Sequence, residues 1–194
     1  MTRTPTSWLL VISEREALAW VLREQRMAFT AQRRNDARRL AQGHRLFVYA
    51  TRGCFHNPTR DRGRIIGEAT VVSAITDLSS PLELSGRTFT VGCGLRIPKP
   101  KIAQLSDGVE LAPLVPQLRT FPDPASWSAR IRQPLLLLAD EDAPVIAERL
   151  ARLVRPRDVV LAEYVAAASR TVAAVIGDRD VRAPSATAAR SRAR

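Results

Sequence analysis

The stretch HRLFVYATRGCFHNPTRDRGRIIGEATVV, residues 44–72, decides how this chain is read. An apolar run, Leu46–Ala50, ends at Thr51, and a second apolar run starts behind Gly63. Both runs read as strands of a core. Between them lies a loop carrying Arg52, Phe55, His56, Asn57, Arg60, Arg62 and, at its far end, Arg64. Alternation along the first strand puts Phe47, Tyr49 and Thr51 on one face and Leu46, Val48 and Ala50 on the other. Gly53 and Gly63 permit sharp reversals at the two ends of the loop. So many cations between two core strands call for a partner.

The global charge points the same way. Formal net charge is +11, and only Lys99 and Lys101 are lysines, so nearly all the cations are arginines. Biased base composition explains Arg in place of Lys, but not the excess over 19 acidic residues. A polyanion partner accounts for that excess, because guanidinium binds phosphate bidentately and stacks on bases. Part of it sits in residues 181–194, which hold four arginines, no acid and no apolar anchor; this tail is read as disordered. The chain has no apolar run of membrane-spanning length and no secretory leader pattern, so the expected location is the cytoplasm, associated with the nucleoid. Cys54 and Cys93 make no disulfide framework.

Outward from the opening stretch, WLLVIS (8–13) reads as a buried strand leading into a helix. Ser13 and Glu16 have capping-box spacing, and Leu18, Val21 and Leu22 form the apolar stripe. A second short helix is expected over NDARRLAQG, capped by Asn35 and ended by Gly43. LELSGRTFTVGCGLRI reads as a hairpin turning at Ser85-Gly86, with Gly92 and Gly94 as candidate bulges and Gly67 as a close approach. Residues 98–134 read as mostly extended loop, followed by a strand, an acidic turn (Asp140, Glu141, Asp142) and a helix. Trp8 and Trp20 read as core. Strands and helices do not alternate regularly, so the fold class is α+β: a small, strongly curved sheet or barrel with flanking helices.

The ordered set WLLVIS, helix, MAFTAQRRNDARRLAQGHRLFVYAT, polar loop, RIIGEATVVS resembles the EVE domain, a PUA-like barrel related to the YTH readers of methylated adenine. GHRLFVYAT follows the family's first motif strand with His44 in place of its usual Asp, and IIGEATVV follows the second. The resemblance spans residues 8–150 and is similar in its basic loop to actinomycete EVE proteins that bind 5-methylcytosine in DNA. It implies an EVE/PUA-like domain over residues 1–155, with a C-terminal helix at 156–180 and the tail beyond. It also implies a pocket for an extruded modified base, double-stranded DNA carrying 5-methylcytosine as partner, and no catalysis or cofactor.

That implication assigns candidate residues. Ser13, Thr30 and Thr51 offer polar partners to the base edge, and Phe29, Tyr49 and Trp127 offer aromatic walls. Phe29 stands where the YTH relatives place an aromatic cage residue. Arg33, Arg34, Arg52, Arg60, Arg62, Arg64 and Arg130 would meet the backbone, with Asn57 beside them and Phe55 or His56 filling the gap left by a flipped base. A zinc site from Cys54, His56, Cys93 and His44 has the wrong spacing, and the acidic trio at 140–142 reads as a helix start rather than a nuclease site. No nucleotide-binding, hydrolase or deaminase motif is present. Modified RNA is the alternative partner, and an RNA- or nucleotide-modifying enzyme the third reading.

Overall fold

The computed structural model describes residues 5–57, 61–99 and 101–177. Arg60 and the tail 181–194 lie outside them. In chain order the elements are β1 (Ser7–Ile12), α1 (Arg15–Glu24), β2 (Arg26–Phe29), a 3-10 turn (Ala31–Arg33), α2 (Arg34–Ala37), β3 (Arg45–Ala50) and β4 (Arg64–Val71). The hairpin β5 (Thr76–Leu84) and β6 (Arg87–Arg96) follows, then β7 (Ile102–Ala103) and β8 (Val109–Glu110). Next come α3 (Leu111–Leu114), a 3-10 turn (Val115–Gln117), α4 (Trp127–Arg130), β9 (Leu135–Leu137), α5 (Asp142–Ala151), β10 (Val154–Arg155) and α6 (Arg157–Gly177). Among the described residues no helix is long and apolar enough to cross a membrane.

The strands make one curled sheet, ordered β10-β7-β4-β3-β1-β9, with β6 joining β4 to β5 and β2. β1 and β3 are parallel, Leu9 facing Phe47 and Val11 facing Tyr49 in register. A parallel pair needs a crossover, which α1, β2 and α2 supply, and it tends to be buried on both sides. The alternation read from residues 46–50 is therefore a division between two cores. Leu46, Val48 and Ala50 join Leu18, Leu22, Phe29 and Tyr164 on one side. Phe47 and Tyr49 join Leu9, Leu111, Phe121 and Ile146 on the other. The β3–β4 register shifts between Val48 and Tyr49, which pair with Gly67 and Ile65. The extra residue, Ile66, is thus free to face the first core while Ile65 faces the second.

Several local expectations change. The Ser13–Glu16 capping box does not form: Glu14 is the N-cap residue, without a side-chain cap bond, and Glu16 accepts from the Ser85 hydroxyl at 2.7 Å. The hairpin tip takes the carboxylate the box needed. α2 is a single turn with Asn35 inside it, not capping it, and Gly43 (φ 88°) serves the turn into β3 instead. Ser85 and Gly86 do form the two-residue hairpin turn, at φ 49° and 70°. Gly92 and Gly94 sit in regular β2–β6 register, and the irregularity lies on β5, between Asp77 and Leu82. Gly67 is a close approach, since a Cβ there would stand 2.4 Å from Ile102 Cδ1.

The largest departure is residues 98–134. They are no loose loop: Leu111, Leu114, Val115, Leu118 and Phe121 are buried and build much of the second core. Buried Asp142 holds this segment, accepting from the backbone N–H of Arg119 at 2.8 Å and of Thr120 at 2.7 Å, and from the Thr120 hydroxyl. That satisfied carboxylate explains the acidic turn without a metal. α6 closes the first core: Tyr164 donates to the Ala103 carbonyl at 2.9 Å, and Arg157 donates to the Leu22 and Arg23 carbonyls at the end of α1.

Candidate nucleic-acid interface

A cavity of about 410 Å³ opens where β1 runs into α1. Its floor is apolar, from Leu10, Ile12, Val21 and Met27. Phe29 forms a wall from the end of β2, and Ser13, Thr30 and Thr51 stand at the ends of the same three strands. The convergence follows from topology. β1, β2 and β3 all end on this side of the sheet, so the residue after each strand meets the others here. The N-terminus of α1 abuts the cavity through Ser13, Glu14 and Ala17, and no side chain caps it. The positive end of the helix dipole therefore favours a hydrogen-bond acceptor in the cavity. Glu14 adds a carboxylate at the rim, 3.3 Å from His56 Nε2 on the neighbouring loop.

Of the six residues assigned to a base pocket, Ser13, Phe29, Thr30 and Thr51 line this cavity together. Tyr49 and Trp127 do not. Tyr49 is 2% exposed in the second core, and burial pushes its phenol up to about 12. Trp127 is half-buried, edge-on to Phe121 at 6.2 Å between ring centres. An aromatic beside a cationic loop looks available in sequence, but in each case the second core packs against the ring.

Two features escaped the sequence. The first is Phe89, a second aromatic in the lining. Phe29 pairs with Val91 across β2–β6, so Phe89, two residues along β6, lies on the same face. Strand alternation in RTFTV carried that signal, but not the pairing that gives it meaning. The second is residues 131–134, which run beside β1 with Val11 N–H donating to the Pro134 carbonyl at 2.8 Å. They bring Arg132 to the cavity, where Arg33 and Arg87 also stand, all three exposed.

The remaining loop cations are dispersed. Arg52 and Arg130 are exposed. Arg34 pairs with Asp77 at 2.5 Å, and Arg62 pairs with Glu110 at 3.0 Å. Arg62, Arg64, Phe55 and Asn57 line a second cavity, of about 640 Å³, on the far side of Thr51. Cys54 and Cys93 are buried free thiols, and His44 Nδ1 accepts from Trp8 Nε1 and the Ala41 N–H, both at 3.1 Å.

No family model matches the chain, and no curated protein matches it significantly. Solved structures do. A hypothetical protein from Leishmania major matches at TM-score 0.50 and 14% identity, over 77% of this chain and 99% of its own. It shares the α+β fold described above, a curled sheet with flanking helices. The DUF55 domain of human thymocyte nuclear protein 1 aligns at TM-score 0.48 and 15% identity, over 74% of this chain and 98% of its own. Human THYN1 protein in complex with 5-methylcytosine containing DNA aligns at TM-score 0.43 and 18% identity, over 74% and 96%.

Proposed function

We propose that this protein is a non-catalytic reader of modified DNA, which takes a flipped 5-methylcytosine into the cavity lined by Ser13, Phe29, Thr30 and Thr51. The observation that carries the reading is the cavity itself. Its volume falls in the range of roughly 300–1,000 Å³ usual for small-molecule sites, its floor is apolar, its rim is polar, and three arginines surround it. Cytosine presents one donor, N4, and two acceptors, N3 and O2. Glu14 can accept from N4, and the uncapped N–H groups of α1 and the rim hydroxyls can donate to N3 and O2. Half-buried Phe89 supplies aromatic surface, and Phe29, 3% exposed, packs behind the lining. The resemblance of residues 8–150 to the EVE domain supports the same ligand class, and 5-methylcytosine-containing DNA is what the human relative holds.

Energetics divide the work. Burying the methyl group gives about 0.8 kcal/mol, roughly fourfold in affinity. Extruding a base costs a few kcal/mol. Stacking returns about 1–3 kcal/mol, and arginine–phosphate contacts must supply the rest. The chain carries no catalytic motif, which is why the reading is of a binder.

The test is titration of one labelled duplex, methylated and unmethylated, beside RNA of the same sequence, with 2-aminopurine next to the methylcytosine. Methyl-dependent binding with brightening of the analogue is expected, and Phe89→Ala should weaken it roughly ten- to a hundredfold, with folding checked by melting. Tighter binding to the RNA would move the reading to modified RNA. A quenched analogue in a tight, methyl-dependent complex would show the methyl group read in an intact duplex.

A further inference from the structure

One wall of the first cavity is an arm that the rest of the sheet does not support. β6 pairs with β2 from Val91 to Gly94 and with β4 at Leu95 and Arg96. Below Val91 it pairs with β5 alone, Phe89 opposite Leu82, Thr88 opposite Glu83 and Arg87 opposite Leu84. Pairing and alternation put Leu82, Leu84, Arg87 and Phe89 on one face of this arm, and Leu84, Arg87 and Phe89 line the cavity together with Ser85. Leu82, Leu84 and Phe89 are half-buried and belong to neither hydrophobic core. The root of the arm is loosely secured: the β5–β6 register shifts between Asp77 and Leu82, and Thr90 Oγ1 is buried without a partner. Among the described residues, one side-chain hydrogen bond ties residues 78–90 to the rest of the protein, from the Ser85 hydroxyl to Glu16 Oε2 at 2.7 Å. Ser85 holds φ at 49°, a left-handed backbone that Asn or Gly adopts more readily at this turn. What serine adds there is the hydroxyl.

We propose that Glu16 is a positioning residue: by holding Ser85 it clamps the arm to α1 across the cavity mouth, which keeps Phe89 against the bound base and Arg87 at the phosphate beside it. The facing wall is α1 and the residues before it, Ser13, Glu14, Ala17 and Val21. The Glu16–Ser85 bond therefore ties the two walls together and fixes the width between them. A planar base needs that width set, because a gap of about 1 Å already forfeits up to about half of the dispersion attraction. A carboxylate acceptor makes the tie stronger than a neutral acceptor would. Glu16 does not line the cavity itself, so its effect reaches the base through the arm. The clamp is a property of the arm; its consequence for methylated DNA rests on the cytosine reading above.

The experiment compares Glu16→Ala with Glu16→Gln in the full chain. Both remove the same charge, but glutamine keeps an oxygen that can accept from Ser85. Hydrogen exchange followed by mass spectrometry reads the arm, residues 82–89, and titration of the methylated and unmethylated duplexes reads binding. Glu16→Ala should speed exchange of the arm about tenfold and weaken the methylated duplex by about the same factor, through faster dissociation. The unmethylated duplex and the melting temperature should not change. Glu16→Gln should stay near wild type in both readouts. Ser85→Gly removes the hydroxyl at a φ that glycine adopts freely, so it should match Glu16→Ala, and the double variant should add nothing to either single one. Unchanged arm exchange in Glu16→Ala overturns the clamp. So does a Glu16→Gln protein that behaves like Glu16→Ala, since charge would then be the cause. A loosened arm with affinity for the methylated duplex intact overturns the positioning role. A wild-type protein indifferent to the methyl group sinks the cytosine reading, while arm exchange still decides the clamp.

Discussion

Gly92 is where one methyl group tests the geometry beneath the cytosine cavity. It lies on β6, opposite Ala28 of β2 and Thr76 of β5. A Cβ at this position would stand 2.4 Å from the Met27 carbonyl oxygen and 3.3 Å from Ala28 Cα, both backbone atoms of β2. A carbon needs about 3.3 Å from a carbonyl oxygen, so Gly92→Ala must push β2 away by about 0.9 Å. Overpacking of this kind costs about 1–3 kcal/mol. In a chain of this size that lowers the melting temperature by about 2–12 °C. Because β2 carries Met27 and Phe29 into the cavity, affinity for methylated DNA should fall with it. Gly94→Ala is the control. Its Cβ would meet the side chain of Val72 at 3.1 Å and of Ser73 at 3.5 Å, and Val72 is 37% exposed and free to turn, so the change should stay within about 0.5 kcal/mol. Thermal unfolding followed by circular dichroism measures both. A Gly92→Ala protein melting with the wild type, or a Gly94→Ala protein falling as far, would refute the close β2–β6 approach.

Two further outcomes follow from charge. Burial alone would raise the Glu68 carboxyl, but hydrogen bonds from Arg45 (2.9 Å) and Lys101 (3.0 Å) outweigh it and hold it below the ordinary value of 4.5. Ionised Glu68 therefore stabilises the fold above that pH and stops doing so as the pH falls through its lowered value; Glu68→Gln should melt well below wild type at pH 7, and the gap should narrow as the pH falls below 4.5. For the arginines at the cytosine cavity, alanine at Arg33, Arg87 or Arg132 should weaken methylated and unmethylated DNA alike. Each should flatten the slope of log affinity against log salt by about 0.9, and a slope unchanged in all three would remove them from the phosphate path.

The sequence by itself determined whatever depends on near neighbours. Alternation assigned Leu46, Val48 and Ala50 to one face of β3 and Phe47 and Tyr49 to the other, because side chains on a strand must alternate. Ser85-Gly86 announced its turn, since both positions require positive φ. The order of motifs brought Ser13, Phe29, Thr30 and Thr51 to one place, since each closely follows or ends a strand of the same sheet. Only the tertiary structure decided which buried face is core and which is cavity. Tyr49 and Phe29 look equally available in sequence, and both rings pack into core; the segment that covers Tyr49, residues 111–121, lies some sixty residues further on and reads as loop until it finds the second core. Phe89, Arg87 and Arg132 entered the cavity through strand pairing and the return of residues 131–134 to β1. Glu16 and Ser85 are 69 positions apart, and spacing alone pairs Glu16 with Ser13 instead. Their hydrogen bond is a property of space: which donor a carboxylate takes depends on what the rest of the chain brings to it.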